Sequence, residues 1–111
     1  MMSSSIGKHV TVKINRQLGK IHPDYADMPY PVNYGYVPSF FTAQNEEQEA
    51  YLLGVTIPVE SFKGVVKGII RRENGKEIWV LAPEDSFYTE EDIYRQTLFI
   101  ERFFKSQILC G

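Results

Sequence analysis

The residues best spaced to hold a ligand lie in Tyr30-Pro31-Val32-Asn33-Tyr34-Gly35-Tyr36-Val37-Pro38. Tyr30, Tyr34 and Tyr36 stand at even spacings, so an extended chain turns their phenols to one face, where with Asn33 they could meet an oxygen-rich ligand. The plainer reading is a half-buried strand packed through its aromatic rings. Pro31 and Pro38 both work against a helix through the segment. Gly35, between two aromatics, implies a bend or a close backbone approach that a side chain would block. Arg71 and Arg72 could grip an anion through paired donors, or simply end a strand in solvent. The run Gln44-Asn45-Glu46-Glu47-Gln48-Glu49 reads by itself as a solvated acidic turn.

The elements that must position these groups are short. At 111 residues, 43% hydrophobic and 23% charged, the chain has the composition of one small globular domain. A formal charge of −2 argues against broad binding to a nucleic-acid backbone, and no nucleic-acid partner is expected. The one cysteine, Cys110, has no internal partner, no His/Cys cluster is available for zinc, and the expected location is cytoplasmic. No segment approaches the length of a membrane span, and Met1 to Ser5 lacks the pattern of a signal peptide. Residues 1–7 are expected to form a disordered end and 8–111 a single barrel domain.

Alternation in His9–Asn15 places Val10, Val12 and Ile14 on one face of a strand. The connection Lys20–Pro29 is expected to be irregular, with His9 and His22 on the surface. Further strands are expected at the tyrosine segment, at Ala50–Ile57, at Gly64–Arg72 and at Glu77–Ala82. Asn74-Gly75 marks a hairpin between the last two, and Trp79 is expected in the core. Thr89-Glu90-Glu91-Asp92 has the pattern of a capping box, and helical spacing continues from Ile93 to about Leu109. Five strands and one helix imply a mainly β fold, a small OB-like barrel with a C-terminal helix. An open α+β sheet has the same composition.

The tyrosine segment, followed by the acidic run, resembles the soluble family I inorganic pyrophosphatases. In these a Y-P-x-N-Y-G-Y-I/V-P-like segment precedes a D-x-D-P-x-D box. The order of the later elements agrees, and the resemblance spans about residues 8–109. It implies an OB-like barrel, an inorganic diphosphatase that hydrolyses pyrophosphate or a related phosphoanhydride with Mg²⁺, and a homo-oligomer. The alternative is a catalytically inactive module of the same fold that binds a phosphorylated ligand or a protein partner.

The resemblance also implies roles for particular residues. Tyr30, Tyr34, Lys105 and Arg71 would hold phosphate, Glu46 and Glu49 would be catalytic, and Gln44, Glu46 and Glu49 would bind metal. The match is uneven. Gln44 stands at the place of the first aspartate, and Glu46 and Glu49 at those of the other two. Phe104 replaces the tyrosine that precedes the phosphate-binding lysine. Near the hairpin, where the family supplies two more aspartates and a lysine, the acidic residues are Glu73 and Glu77.

Overall fold

The computed structural model describes residues 5–42 and 44–110. Its elements, in chain order, are β1 (His9–Arg16), β2 (Ile21–His22), β3 (Tyr25–Pro29), β4 (Asn33–Phe41), β5 (Glu47–Leu52), β6 (Ser61–Arg72), β7 (Glu77–Ala82), α1 (Glu90–Glu101) and β8 (Ser106–Cys110). The main sheet runs β1-β4-β5-β7-β6-β8, and a further pairing of β1 with β6 closes five of its strands into a barrel. The fold is thus mainly β, an OB-like barrel with a single helix among the described residues.

Closure depends on the length of β6. Its first half, from Ser61 to Val65, pairs with β1, and its second half, from Gly68 to Arg72, pairs with β8 along the same edge. A register shift between Val66 and Gly68 separates the two halves. Such a bulge bends a strand and turns one edge toward two partners. Every neighbouring pair in the main sheet is antiparallel except β5 with β7, which is parallel.

Two apolar clusters occupy opposite faces of this sheet. Val10, Val12, Val37, Leu52, Val66, Trp79 and Leu81 fill one, the barrel interior. Tyr51, Leu53, Ile70, Ile78, Val80 and Ile93 form the other, under α1. Where β5, β6 and β7 are covered on both faces, at Ala50 to Leu52, at Val65-Val66 and Ile69-Ile70, and at Ile78 to Ala82, they read as continuous apolar stretches rather than as alternation. Gly35 sits where β4 crosses β1: a Cβ there would stand 1.8 Å from the Lys13 carbonyl oxygen. The close approach read from the sequence is therefore to the protein's own backbone.

Several boundaries differ from expectation. β5 covers Glu47–Leu52, not Ala50–Ile57, so Glu47 and Glu49 belong to a strand rather than to an acidic turn. The Lys20–Pro29 connection contains the small β2–β3 hairpin. The β6–β7 hairpin forms at Asn74-Gly75, with Gly75 at φ +93° and its N–H donating to the Arg72 carbonyl. The capping box at Thr89 and Asp92 is present, but α1 stops at Glu101, eight residues before the expected Leu109. Phe103 and Phe104 then turn the chain back with N–H donations to Ile100 and Glu101, and β8 follows. Of the expected N-terminal tail, residues 1–4 lie outside the described residues. Ile6 packs against the barrel interior and the Gly7 N–H donates to the Val66 carbonyl.

Candidate functional site

Tyr30, Tyr34, Tyr36, Glu46, Glu47 and Glu49 line one groove of about 610 Å³. Strand pairing brings most of them there: β4 and β5 are antiparallel, Tyr36 lies opposite Glu49, and Tyr34 is its diagonal neighbour. Tyr30 precedes β4, where its ring stacks parallel to His22 at 5.6 Å and meets Phe99 edge-on at 5.4 Å. His22, expected as an ordinary surface residue, is part of this wall, and Arg16 and Asp24 complete it. Four carboxylates, Asp24, Glu46, Glu47 and Glu49, and the guanidinium of Arg16 thus line the groove, with the Lys76 ammonium paired to Glu49.

Glu49 is the carboxylate at its half-buried end. Tyr34 donates its hydroxyl to Oε1, and Lys76 Nζ lies 2.6 Å from Oε2. Burial alone would raise the Glu49 pKa, but the donors Lys76 and Tyr34 outweigh it and hold the carboxyl below its ordinary value. Burial, followed by the Glu49 charge, raises the Tyr34 pKa, so that hydroxyl stays protonated and donating. Burial likewise raises the Tyr30 pKa, with the nearby Arg16 guanidinium opposing it. Glu46 and Glu47 are exposed and have no ion-pair partner among the described residues.

Behind this groove lies a second polar unit. Arg72 Nε and Nη2 donate to the two oxygens of Glu101 at 3.0 and 2.6 Å, and the Tyr51 hydroxyl donates to Glu101 at 2.7 Å. All three residues are buried. The Arg72 guanidinium also lies 3.8 Å from the centre of the Phe104 ring. Arg72 is therefore neither an exposed strand end nor a free anion grip. Asn33 is buried too: it accepts from the Leu18 N–H at 2.9 Å and donates to the Ile57 carbonyl at 3.0 Å, so its amide is used by loops rather than offered to a ligand.

The remaining sequence candidates lie elsewhere. Gln44 borders a different cavity, beside Phe40 and Trp79. Arg71 and Lys105 share a third, outside the barrel, where Arg71 Nε is 2.7 Å from Glu77. Tyr30, Tyr34, Glu46 and Glu49 are thus brought together; Gln44, Arg71 and Lys105 are not among them. Arg16, His22, Asp24 and Lys76 join the site without a sequence motif to mark them, because only strand register and the β2–β3 hairpin carry them there.

The donor set bears on the magnesium implied by the sequence resemblance. Among the described residues no three His, Cys, Asp or Glu side chains form a group able to hold a metal ion. Both oxygens of Glu49 are taken by protein donors. Magnesium needs several free oxygen ligands in near-octahedral array, and these residues do not fit a resident magnesium cluster.

Compared by sequence, the chain matches no protein-family model and no curated protein. Compared by structure, it is similar to an inorganic pyrophosphatase from Ehrlichia chaffeensis, with a TM-score of 0.71 at 13% identity, covering 97% of this chain and 89% of that one. An inorganic pyrophosphatase from Coxiella burnetii gives a TM-score of 0.63 at 15% identity over 97% and 88% of the two chains. One from Helicobacter pylori gives 0.62 at 15% identity over 100% and 86%. No described helix is long and apolar enough to cross a membrane. The chain has the fold of the inorganic pyrophosphatases, over nearly its whole length and nearly the whole of theirs.

Proposed function

We propose that this pyrophosphatase-like protein takes the magnesium complex of pyrophosphate, or of a related phosphoanhydride, into the tyrosine-lined groove and hydrolyses it slowly to phosphate. The observation that carries this reading is the meeting of Tyr30, Tyr34, Glu46 and Glu49 in one groove of a pyrophosphatase-type barrel. With Glu49 paired to Lys76, the three carboxylates of Asp24, Glu46 and Glu47 against the one guanidinium of Arg16 would still repel a bare polyphosphate anion. The ion is therefore treated as part of the substrate, offsetting the anion's charge as it enters. Tyr30 and Arg16 supply donors to phosphate oxygens. Glu46 is free to accept a proton from the attacking water, whereas Glu49, acidified by its two donors, orients Tyr34 and is a poor base. Turnover is slow because so few carboxylates are free.

The test is phosphate release from pyrophosphate, with and without Mg²⁺, by protein in the micromolar range, for the wild type, Glu46→Gln and Glu49→Ala. Slow release that needs Mg²⁺ and falls in both variants is expected. No release at saturating Mg²⁺ would remove the hydrolase reading. The engagement of both Glu49 oxygens favours a second reading, a module of this fold that binds a phosphorylated ligand without turnover. Calorimetric binding of pyrophosphate in the absence of any release would assign it.

A further inference from the structure

Two buried side chains at one end of the barrel each hold a polar atom that the fold does not use. Gln48 on β5 and Trp79 on β7 are 6% and 5% exposed. The two strands run parallel with Ala50 opposite Trp79, so Gln48 is the diagonal neighbour of Trp79. Ala50 and Trp79 belong to the barrel interior, and alternation puts Gln48 on the same face as Ala50.

The orientation of the Gln48 amide is set by what surrounds its nitrogen. Nε2 donates to the carbonyls of Glu49 and Glu77, both at 2.9 Å. Carbonyls only accept, so the amino group must face them and Oε1 must point away. Oε1 itself has no hydrogen-bond partner among the described residues, and neither has the Trp79 indole N–H. No described side-chain nitrogen or oxygen is both fully buried and unpartnered, so these two atoms reach open space. The space that both side chains line is one cavity of about 430 Å³.

Such a pair has a defined complement. Oε1 accepts one N–H and the indole N–H donates to one lone pair, so a ligand edge with a donor beside an acceptor satisfies both. The rest of the lining selects a flat, uncharged body. Phe40 meets the Trp79 ring at 5.1 Å, tilted by 59°, and Phe41, 62% exposed, lines the same cavity. No cationic side chain lines it, and its one carboxylate, Glu77, is paired with Arg71. An anion therefore finds no counter-charge in the lining. The volume falls at the lower end for small-ligand pockets and suits one flat ring system with a sugar. The cavity is separate from the tyrosine groove, with which it shares no lining residue.

We propose that this end of the barrel binds a nucleobase, as the free base or its nucleoside, with the donor of the base on Gln48 Oε1 and the neighbouring acceptor on the Trp79 indole N–H. Each common base carries such an edge. Adenine and cytosine present an amino group beside a ring nitrogen, and guanine and uracil a ring N–H beside a carbonyl. Phe40 and Phe41 supply the aromatic surface against the ring.

Trp79 is the chain's only tryptophan, so its indole N–H gives a single resonance in a proton–nitrogen correlation spectrum of the full chain. Adenosine, guanosine, cytidine and uridine are titrated to about 1 mM, which reaches weak small-ligand affinities. At least one should shift that resonance saturably, and pyrophosphate should neither shift it nor compete. Methylating the donor nitrogen of the best ligand, twice where it is an amino group, should weaken binding about tenfold, because Gln48 Oε1 is then covered and unpaired. Phe41→Ala, at an exposed ring, should weaken binding about fivefold and leave the melting temperature unchanged. The ligand comparison uses the wild type alone and so does not depend on how any variant folds. No saturable shift with any of the four, equal affinity for the methylated ligand, displacement by pyrophosphate, or unchanged affinity in Phe41→Ala would overturn the proposal. So would binding of a single-stranded oligonucleotide in preference to the nucleoside, which would assign the cavity to a nucleic-acid strand.

Discussion

Glu49 shows how much one partner decides. Its carboxylate is shared between a neutral phenol on β4 and the ammonium of Lys76 in the β6–β7 hairpin, and the ammonium stands where a cation would otherwise bind. Lys76→Met keeps most of the length and removes the charge. The Glu49 pKa should then rise, because burial is opposed by the Tyr34 hydrogen bond and the more distant Arg72 charge. The groove should bind Mg²⁺ more tightly than the wild type, by about tenfold, the scale of one partly buried charge pair. Isothermal titration with Mg²⁺ alone measures this, and equal affinities in the two proteins would contradict it. Gly35→Ala probes the other decisive residue. Its Cβ would meet backbone rather than a movable side chain, and the loss in urea denaturation should be about 4 kcal/mol or more. Tyr30, Tyr34 and Glu49 were legible in the sequence because they lie close in the chain, on two adjoining segments whose antiparallel pairing makes them neighbours. Lys76 was not. Its contact with Glu49 spans 27 residues and exists only through the register of β5, β6 and β7.

The helix is set at its ends by two unlike devices. At the start, Thr89 accepts from the Asp92 N–H at 3.1 Å and the Asp92 carboxylate accepts from the Thr89 N–H at 3.0 Å, both local and both readable from four residues. Thr89→Ala should cost about 1 kcal/mol and lower the melting temperature by about 4 °C. At the other end the stop is tertiary. Glu101 turns inward to Arg72 and Tyr51, Phe104 lies on the Arg72 guanidinium, and the chain reverses into β8. The apolar residues Phe103, Phe104 and Ile108 fit a helical period, but Ile108 and Cys110 also fit a period of two, and the edge of β6 selects the second. Glu101→Ala should be far more damaging than the cap variant, about 3–5 kcal/mol, because it leaves Arg72 charged, buried and unpaired. Substituting both, as Arg72→Met with Glu101→Leu, should recover much of that loss. Guanidinium unfolding of the two proteins compares them directly.

As a whole the molecule is one closed barrel, and its alternating β1, tyrosine segment, NG hairpin and capped helix were enough to indicate a mainly β fold of this kind. The parallel β5–β7 pairing, the β2–β3 hairpin and β8 were hidden, since each rests on contacts distant in sequence rather than on local pattern. A small barrel of this type should unfold cooperatively, so the titration of its perturbed groups appears in one global transition. Glu49 and Asp92 both have folded pKa values below their ordinary ones. The unfolded chain then binds more protons, and the stability that these groups supply is complete above the unfolded carboxyl values of 4.5 and 3.8 and is lost as pH falls through the folded ones. Tyr34 and Tyr51 act in the opposite sense. Burial and the adjacent Glu49 and Glu101 charges raise their pKa values, so the stability they supply is full below the ordinary tyrosine value and declines as the unfolded chain ionises above about pH 10. The expected profile of melting temperature is a plateau bounded by both carboxylates and phenols. Tyr34→Phe should flatten the alkaline limb, and Glu49→Gln the acid one. Tyrosinate absorbance should appear in the alkaline limb only as the barrel opens; ionisation of Tyr34 and Tyr51 ahead of unfolding would show that the hydroxyls are not held as the Glu49 and Glu101 contacts require.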